Sequence, residues 1–247
     1  MKISIITVAY NSAATITDTL RSVAEQTHAD IEHIVVDGSS QDATLAIVRD
    51  QGARVSRIVS ERDSGIYDAM NKGLRLARGE LVGFLNADDT FAHPNVVASI
   101  AAAALRHPTA AAIYGDLVYV KQDRPEQVLR HWRSGKFDPA RLRFGWMPPH
   151  PTFYLRSDRL PGLGLFNDAL RISADYDFML RCLSAPGAQA IHIPDVLVRM
   201  RAGGASNRSL AALVNKSSED LRALRQNKVG GWFTLMCKNI RKLPQFL

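Results

Sequence analysis

Short apolar runs alternate with stretches in which apolar side chains recur every three or four positions, and the alternation continues through the first half of the chain. Residues 3–8 read as a strand, and Ile16, Leu20 and Val23 then fall at helical spacing. Residues 31–36 form the next strand-like run, followed by a helix carrying Leu45 and Val48, for which Asp42 is a candidate cap. A strand near 55–60, a helix from about 67 to 77, a strand from 81, a helix over 96–105 and a strand around 113–118 complete the series. This order predicts an α/β fold with a mostly parallel central sheet flanked by helices. Beyond Lys121 the pattern loosens: Pro125, Pro139, Pro148, Pro149 and Pro151 mark turns, a helix is predicted over 176–183, and a short strand pair at 191–193 and 196–200.

The run from Leu81 to Leu85 has no polar face, which suits a strand buried on both sides, and it delivers Asn86, Ala87, Asp88 and Asp89 at its carboxyl end. Parallel sheets bind ligands there, and acids in that position either hold Mg²⁺ or Mn²⁺ against phosphate or cap a following helix. The other strand ends carry polar chemistry too. Tyr10, in Thr7-Val8-Ala9-Tyr10-Asn11, offers a face for a base or else packs in the core. That loop lacks the glycines of a P-loop or a dinucleotide fingerprint, so recognition falls to side chains and strand-end backbone. Asp37 can accept from a base N–H while Gly38 lets the chain turn closely; the alternative is an ordinary turn. In the third loop Asp63 can contact base or ribose, and Arg62 or Lys72 can answer phosphate charge.

Five motifs in order, Thr-Val-Ala-Tyr-Asn, Asp-Gly-Ser-Ser-Gln-Asp-Ala-Thr, Asp-Ser-Gly-Ile-Tyr-Asp-Ala-Met-Asn-Lys-Gly, Asn-Ala-Asp-Asp and Ala-Asp-Tyr-Asp-Phe-Met-Leu-Arg, resemble those of family 2 glycosyltransferases of the GT-A fold over about residues 1–205. The likeness is nearest to bacterial transferases of the colanic-acid and exopolysaccharide type. It implies a Rossmann-like GT-A domain whose nucleotide-sugar half spans about 1–118 and whose acceptor half spans about 119–205, followed by a helical tail over 206–247. It further implies that Thr7, Ala9, Asn11, Asp37 and Asp63 line the nucleotide pocket. Asp88 becomes the metal carboxylate of an Asp-any-Asp motif, with Asn86 in its first position, and the cofactor a divalent cation, Mn²⁺ or Mg²⁺. His150 becomes a second contact to metal or diphosphate. Asp175 becomes the catalytic base, with Ala174 standing where the family pattern has Glu; Asp177 points elsewhere and pairs with a basic residue. Arg199 and Arg201 are candidates for a loop that closes over diphosphate.

The implied reaction is inverting transfer of one sugar from a nucleotide-sugar donor, UDP by default, to a glycan or polyprenyl-linked acceptor in bacterial surface polysaccharide biosynthesis. A sugar nucleotidyltransferase is the leading alternative, but such enzymes place a glycine-rich basic loop after the first strand. A non-catalytic nucleotide- or carbohydrate-binding module is the other. Gln127 to Trp132 resembles the signature of processive synthases but carries an extra residue and precedes the base, which favours a non-processive enzyme.

Composition changes this picture only at the carboxyl end. A hydrophobic fraction of 46% and a charged fraction of 22% are ordinary for a globular protein, and two cysteines without metal-like spacing suit a reducing compartment. No charged leader precedes the first strand and no apolar stretch approaches the roughly 20 residues that span a bilayer, so a cytoplasmic location is expected. The net charge is +7, and from Lys216 onward seven basic residues face two acids. Over 229–247 the charges interleave with Trp232, Phe233, Leu235, Met236 and Ile240, a mixture that suits an anionic membrane surface, or a helix docked on the domain, rather than nucleic acid.

Overall fold

A computed structural model describes residues 1–203 and 210–241. The elements run β1 (Ile3–Ala9), α1 (Ile16–Ala24), β2 (Ile31–Asp37), α2 (Thr44–Gln51), β3 (Val55–Ser60), α3 (Ile66–Leu76), β4 (Leu81–Phe84), β5 (Thr90–Phe91), α4 (Val96–Arg106), β6 (Ala112–Val120) and β7 (Val128–Trp132). They continue as β8 (Tyr154–Arg156), α5 (Leu160–Leu163), α6 (Ala174–Leu183), β9 (Ala190–Arg201), α7 (Leu210–Gln226) and α8 (Trp232–Ile240). The sheet order is β3-β2-β1-β4-β8-β6-β9-β5, with β7 paired to β6. β3, β2, β1 and β4 are mutually parallel, whereas β8 runs antiparallel to both β4 and β6.

The strand patterns explain the layering. In β1, Ile6 and Val8 pack in one buried cluster with α3 residues Met70 and Leu74, while Ile3 and Ile5 belong to a second with Val97 and Ile100 of α4. Alternate side chains thus serve opposite layers, which is why β1 and β4 are fully buried and mainly apolar, with Ser4 and Thr7 the polar exceptions in β1. Gly73 lets α3 lie close on the sheet, since a Cβ there would come within 2.4 Å of the Ile6 side chain.

Two expectations are corrected, and two points the sequence left open are filled in. The residue at the α2 cap position is Ala43; the Asp42 carboxylate instead takes the amides of Thr44 (3.0 Å) and Ala13 (3.1 Å), tying the loops after β1 and β2 together. The strand pair near 191–200 is the single strand β9, whose register with β6 shifts around Asp116, opposite the turn-prone Pro194. The strands β5, β7 and β8 were not predicted, because two to five residues among prolines carry no readable period. Finally, α7 and α8 are packed against the domain: Leu221, Ala223, Leu224, Val229 and Leu235 share the buried cluster of Phe178 and Leu180. The expectation for 242–247 lies outside the described residues.

Beneath the sheet's carboxyl edge, His33 and Thr7 are buried together, with Thr7 Oγ1 2.9 Å from His33 Nε2. Burial lowers the His33 pKa from its ordinary 6.5 to about 4. As pH falls, the unfolded chain therefore takes up this proton before the folded one, so stability is full above 6.5 and declines towards 4. The decline attributable to His33 is about 3 kcal/mol. Urea unfolding of the parent and His33→Gln across this range should show that difference; parallel pH profiles would rule it out.

Candidate active site

The chain crosses from β3 back past β1 to β4, so the crevice between the carboxyl ends of β1 and β4 is a topological switch point, where open α/β sheets bind ligands. The loops after β1, β2, β3 and β4 gather there. Tyr10 is 63% exposed, so its ring stands free of the core. Gly38 lies beneath it: a Cβ built on Gly38 would fall 2.4 Å from Asp63 Oδ2 and 3.4 Å from the Tyr10 ring. Three residues from three loops are thus in contact, and the absence of a side chain at position 38 permits it. The Gly38 N–H donates to the Ala9 carbonyl (2.9 Å), and Asn11, at φ 48°, accepts the Gln41 N–H on its side-chain oxygen (2.9 Å). Asp37 is fully buried, and its carboxylate takes hydroxyl bonds from Ser40 and Ser60, the latter at 2.7 Å. It braces the second loop against the third.

The Asn86–Asp89 turn is held from behind. Thr15 Oγ1, at the N-cap of α1, donates to the Ala87 carbonyl (2.9 Å), and Thr19 Oγ1, within α1, to the Asp89 carbonyl (2.7 Å). Arg201 is buried; its guanidinium donates to the Asp88 carbonyl (3.0 Å) and pairs with Asp18 (2.6 Å). It is therefore a strut for this turn rather than part of a loop over diphosphate, and Arg199 donates instead to the Pro125 carbonyl (2.7 Å). Asp89 is fully buried and accepts from the Arg201 N–H and the Asn86 amide, both at 3.3 Å. Neither acid caps α4, which begins after Asn95.

Burial raises the pKa of Asp88, with Arg201 opposing, and raises that of Asp89 further, with the Asp88 charge adding to it. A cation beside Asp88 would relieve that penalty. The donors fit one: Asp88 offers a hard carboxylate, and the buried Asn86 Oδ1 has no hydrogen-bond partner among the described residues. No group of three or more His, Cys, Asp or Glu suited to a metal occurs among the described residues. That set matches an ion of the Mg²⁺ type, which takes one or two protein ligands and fills its shell with substrate phosphate and water. The His150 ring stacks on Phe84 (5.3 Å) and meets Phe166 edge-on (5.9 Å). Burial lowers its pKa, with the Asp175 charge acting against that.

Lys72, on α3, is committed to its own helix and the loop before it, 3.0 Å from Glu61, 3.7 Å from Asp68 and donating to the Arg62 carbonyl at 2.8 Å; the Arg62 side chain is an exposed cation there. Asp175 opens α6, partly exposed, and accepts from its neighbour's N–H at Tyr176 (2.8 Å). The Tyr67 hydroxyl sits 3.1 Å from the same carboxylate oxygen and 2.7 Å from the Ile172 carbonyl. Burial, reinforced by the Asp175 charge, pushes the Tyr67 pKa far up, so it stays a donor. From α7, the Glu219 carboxylate accepts the N–H groups of Arg171 (3.0 Å), Ile172 (2.8 Å) and Ser173 (2.9 Å). This fixes the entry to α6 and hence the Asp175 position. Asp177 is buried, bonded to Arg181 (2.9 Å) and Asn227 (2.8 Å), facing away as expected. Tyr67 and Glu219 had no assigned role in the sequence, and Arg201 was assigned a different one; the box Ser-Glu-Asp at 218–220 is the trace Glu219 leaves.

Comparison with known proteins identifies the family and the fold. The description "Glycosyl transferase family 2" matches residues 4–160. A PGL/p-HBAD biosynthesis glycosyltransferase of Mycobacterium tuberculosis is 34% identical over 208 residues, covering 83% of this chain and 78% of that one. The O-antigen biosynthesis protein RfbC of Myxococcus xanthus is 30% identical over 236 residues, 91% of this chain but 18% of its own length. Among solved structures, Staphylococcus aureus TarS 1–349 in complex with UDP-GlcNAc superposes with a TM-score of 0.71 at 20% identity, over 93% of this chain and 66% of that one. The mannosyltransferase PcManGT of Pyrobaculum calidifontis, in complex with GDP-Man and Mn²⁺, gives 0.68 at 20% identity, over 99% and 72%. The chain spans just under two thirds of the TarS fragment, and these two likenesses concern the GT-A fold.

Proposed function

We propose that this chain, which belongs to the family 2 glycosyltransferases and is a glycosyltransferase enzyme, works by inverting, non-processive transfer of one sugar from a nucleotide donor. The observation that carries the reading is the junction of Tyr10, Gly38 and Asp63 from three strand-end loops beside the Asn86–Asp89 turn. The exposed Tyr10 ring supplies a stacking face for the base, Asp63 an acceptor for base or ribose donors, and Arg62 a cation at the rim. UDP is the default nucleotide; relatives of this fold have been solved with UDP-GlcNAc and with GDP-Man.

Asn86 and Asp88 would hold a divalent cation, Mn²⁺ or Mg²⁺, which when bound offsets the charge of a departing diphosphate. The chain's own part in the chemistry falls to Asp175. Its carboxylate, steadied by Tyr67, removes the proton of an acceptor hydroxyl; the oxygen attacks the anomeric carbon, and the bond to the diphosphate breaks on the opposite side. The proton resides on Asp175 and the nucleoside diphosphate leaves with the bonding pair. One displacement inverts the anomeric centre. The acceptor is a glycan or polyprenyl-linked glycan of a bacterial surface polysaccharide, a reading supported by the name of the Myxococcus relative, an O-antigen biosynthesis protein. The enzyme would work at the cytoplasmic face of the membrane; among the described residues no helix is long and apolar enough to cross one.

Water serves as a slow acceptor for many transferases, so the stereochemistry is open to test before the natural acceptor is known. With an α-linked donor, proton NMR of the released sugar should show the β anomer first, before mutarotation. Initial release of the α anomer would refute the single displacement.

A further inference from the structure

Helix α8 is oriented opposite to the usual arrangement of a surface helix. Its lysine points inward: Lys238 pairs with the buried Asp220 at 2.7 Å and lies over the Tyr176 ring, 3.2 Å from its centroid. Thr234 and Leu235 are buried with it, and Thr234 Oγ1 donates to the Arg143 carbonyl (2.9 Å). The large apolar side chains point outward instead: Trp232 is 68% exposed, Phe233 59%, Met236 53% and Ile240 53%. Positions 232, 233, 236 and 240 share one helical face. Phe144, 47% exposed, extends that face from the short 3-10 helix Pro139–Phe144, its ring 6.1 Å from Phe233. The helix is anchored, since Arg241 donates to the Phe144 carbonyl (2.9 Å), so this apolar surface is held out by the fold.

We propose that this face is a docking surface for an anionic phospholipid bilayer, with Trp232, Phe233, Met236, Ile240 and Phe144 entering the headgroup boundary. Charge selects the occupant. The exposed cations Arg143, Lys228 and Arg241 border the apolar side chains, and no acid occurs from 228 to 241. Aromatic and aliphatic side chains ringed by Lys and Arg are the composition of a helix lying in the interface plane, and each cation near an anionic leaflet strengthens attachment. A protein partner would meet a polar rim of mixed sign, whereas this rim is positive alone and so matches an anionic leaflet. None of these residues lies on the loops after β1, β2, β3 or β4, so the proposal stands or falls independently of the donor site assigned above.

Co-sedimentation of the full chain with unilamellar vesicles tests it. The parent should bind phosphatidylcholine vesicles containing phosphatidylglycerol, bind pure phosphatidylcholine weakly, and dissociate as salt is raised. Trp232→Ser with Phe233→Ser should lower the partition into anionic vesicles about tenfold or more. A second variant, Arg143→Gln with Lys228→Gln, leaves the apolar face intact and should lose the preference for anionic lipid; it keeps the test decisive should the first variant fold poorly. Equal binding by parent and both variants, or no binding by the parent, would overturn the proposal. So would a parent that is dimeric in solution and becomes monomeric in the Trp232/Phe233 variant without vesicle binding, because the face would then serve a second copy of the chain.

Discussion

Replacing Asp175 by asparagine is expected to lower sugar transfer by about 10²–10⁴-fold, the usual contribution of a positioned base, while donor affinity stays nearly constant. The reason is local. The carboxylate sits at the first turn of α6 with one oxygen in contact with the Tyr67 hydroxyl of α3 and the Tyr176 N–H, and among the described residues its hydrogen bonds do not reach Tyr10, Gly38 or Asp63. Asparagine can keep those contacts but cannot take a proton at neutral pH. Tyr67→Phe removes the steadying hydroxyl and leaves the base, so its effect should be smaller, about tenfold. Steady-state assays of transfer, or of donor hydrolysis, check both. Parent-like turnover by Asp175→Asn would remove it from the catalytic role.

The second large effect is expected at Asp88. Its alanine variant should lose about 10²-fold or more in turnover, and the loss should appear as a metal defect, with little response to added Mn²⁺ or Mg²⁺. The fold should tolerate the change, because Arg201 and Thr19 hold the backbone carbonyls of this turn rather than the Asp88 carboxylate. The complementary variant, Asn86→Asp, adds a hard anionic oxygen beside Asp88 and should lower the metal concentration needed for half-maximal activity by about tenfold. It also removes the amide that Asn86 donates to Asp89, so a modest loss of thermal stability should accompany it. A metal response in Asp88→Ala equal to that of the parent would contradict the assignment.

Much of this was legible from the residues alone. The strands β1, β2 and β4 announce themselves as short apolar-rich runs, β4 without a polar face, and a parallel arrangement then puts Ala9, Asp37 and Asp88 at one edge. What the pattern could not convey is which polar groups meet across long separations. Tyr67 reaches Asp175 over 108 positions, Asn71 reaches the Phe166 backbone over 95, and Arg201 reaches Asp18 over 183. Hydrogen bonds of that kind follow from packing, and no local period encodes them. Lys72 illustrates the same limit from the other side: a cation suited to phosphate by type is placed between Glu61 and Asp68 by the turn of its helix. The amphipathic reading of the carboxyl-terminal segment identified the right mixture of side chains, yet only the Lys238–Asp220 pair reveals that the charge faces in and the aromatics face out.

The central claim is that one crevice binds a nucleotide through Tyr10, Gly38 and Asp63 and its diphosphate through an ion on Asp88, while Asp175 waits on the acceptor side. Calorimetric titration of UDP, with GDP and dTDP alongside, into the parent, Asp88→Ala and Asp175→Asn, each with Mn²⁺ and with chelator, tests it most directly. The account predicts that one nucleotide binds the parent and Asp175→Asn with similar affinity in Mn²⁺, and that chelator or Asp88→Ala weakens that binding about tenfold or more. Binding that is indifferent to both the metal and Asp88, or that is lost in Asp175→Asn, would contradict it.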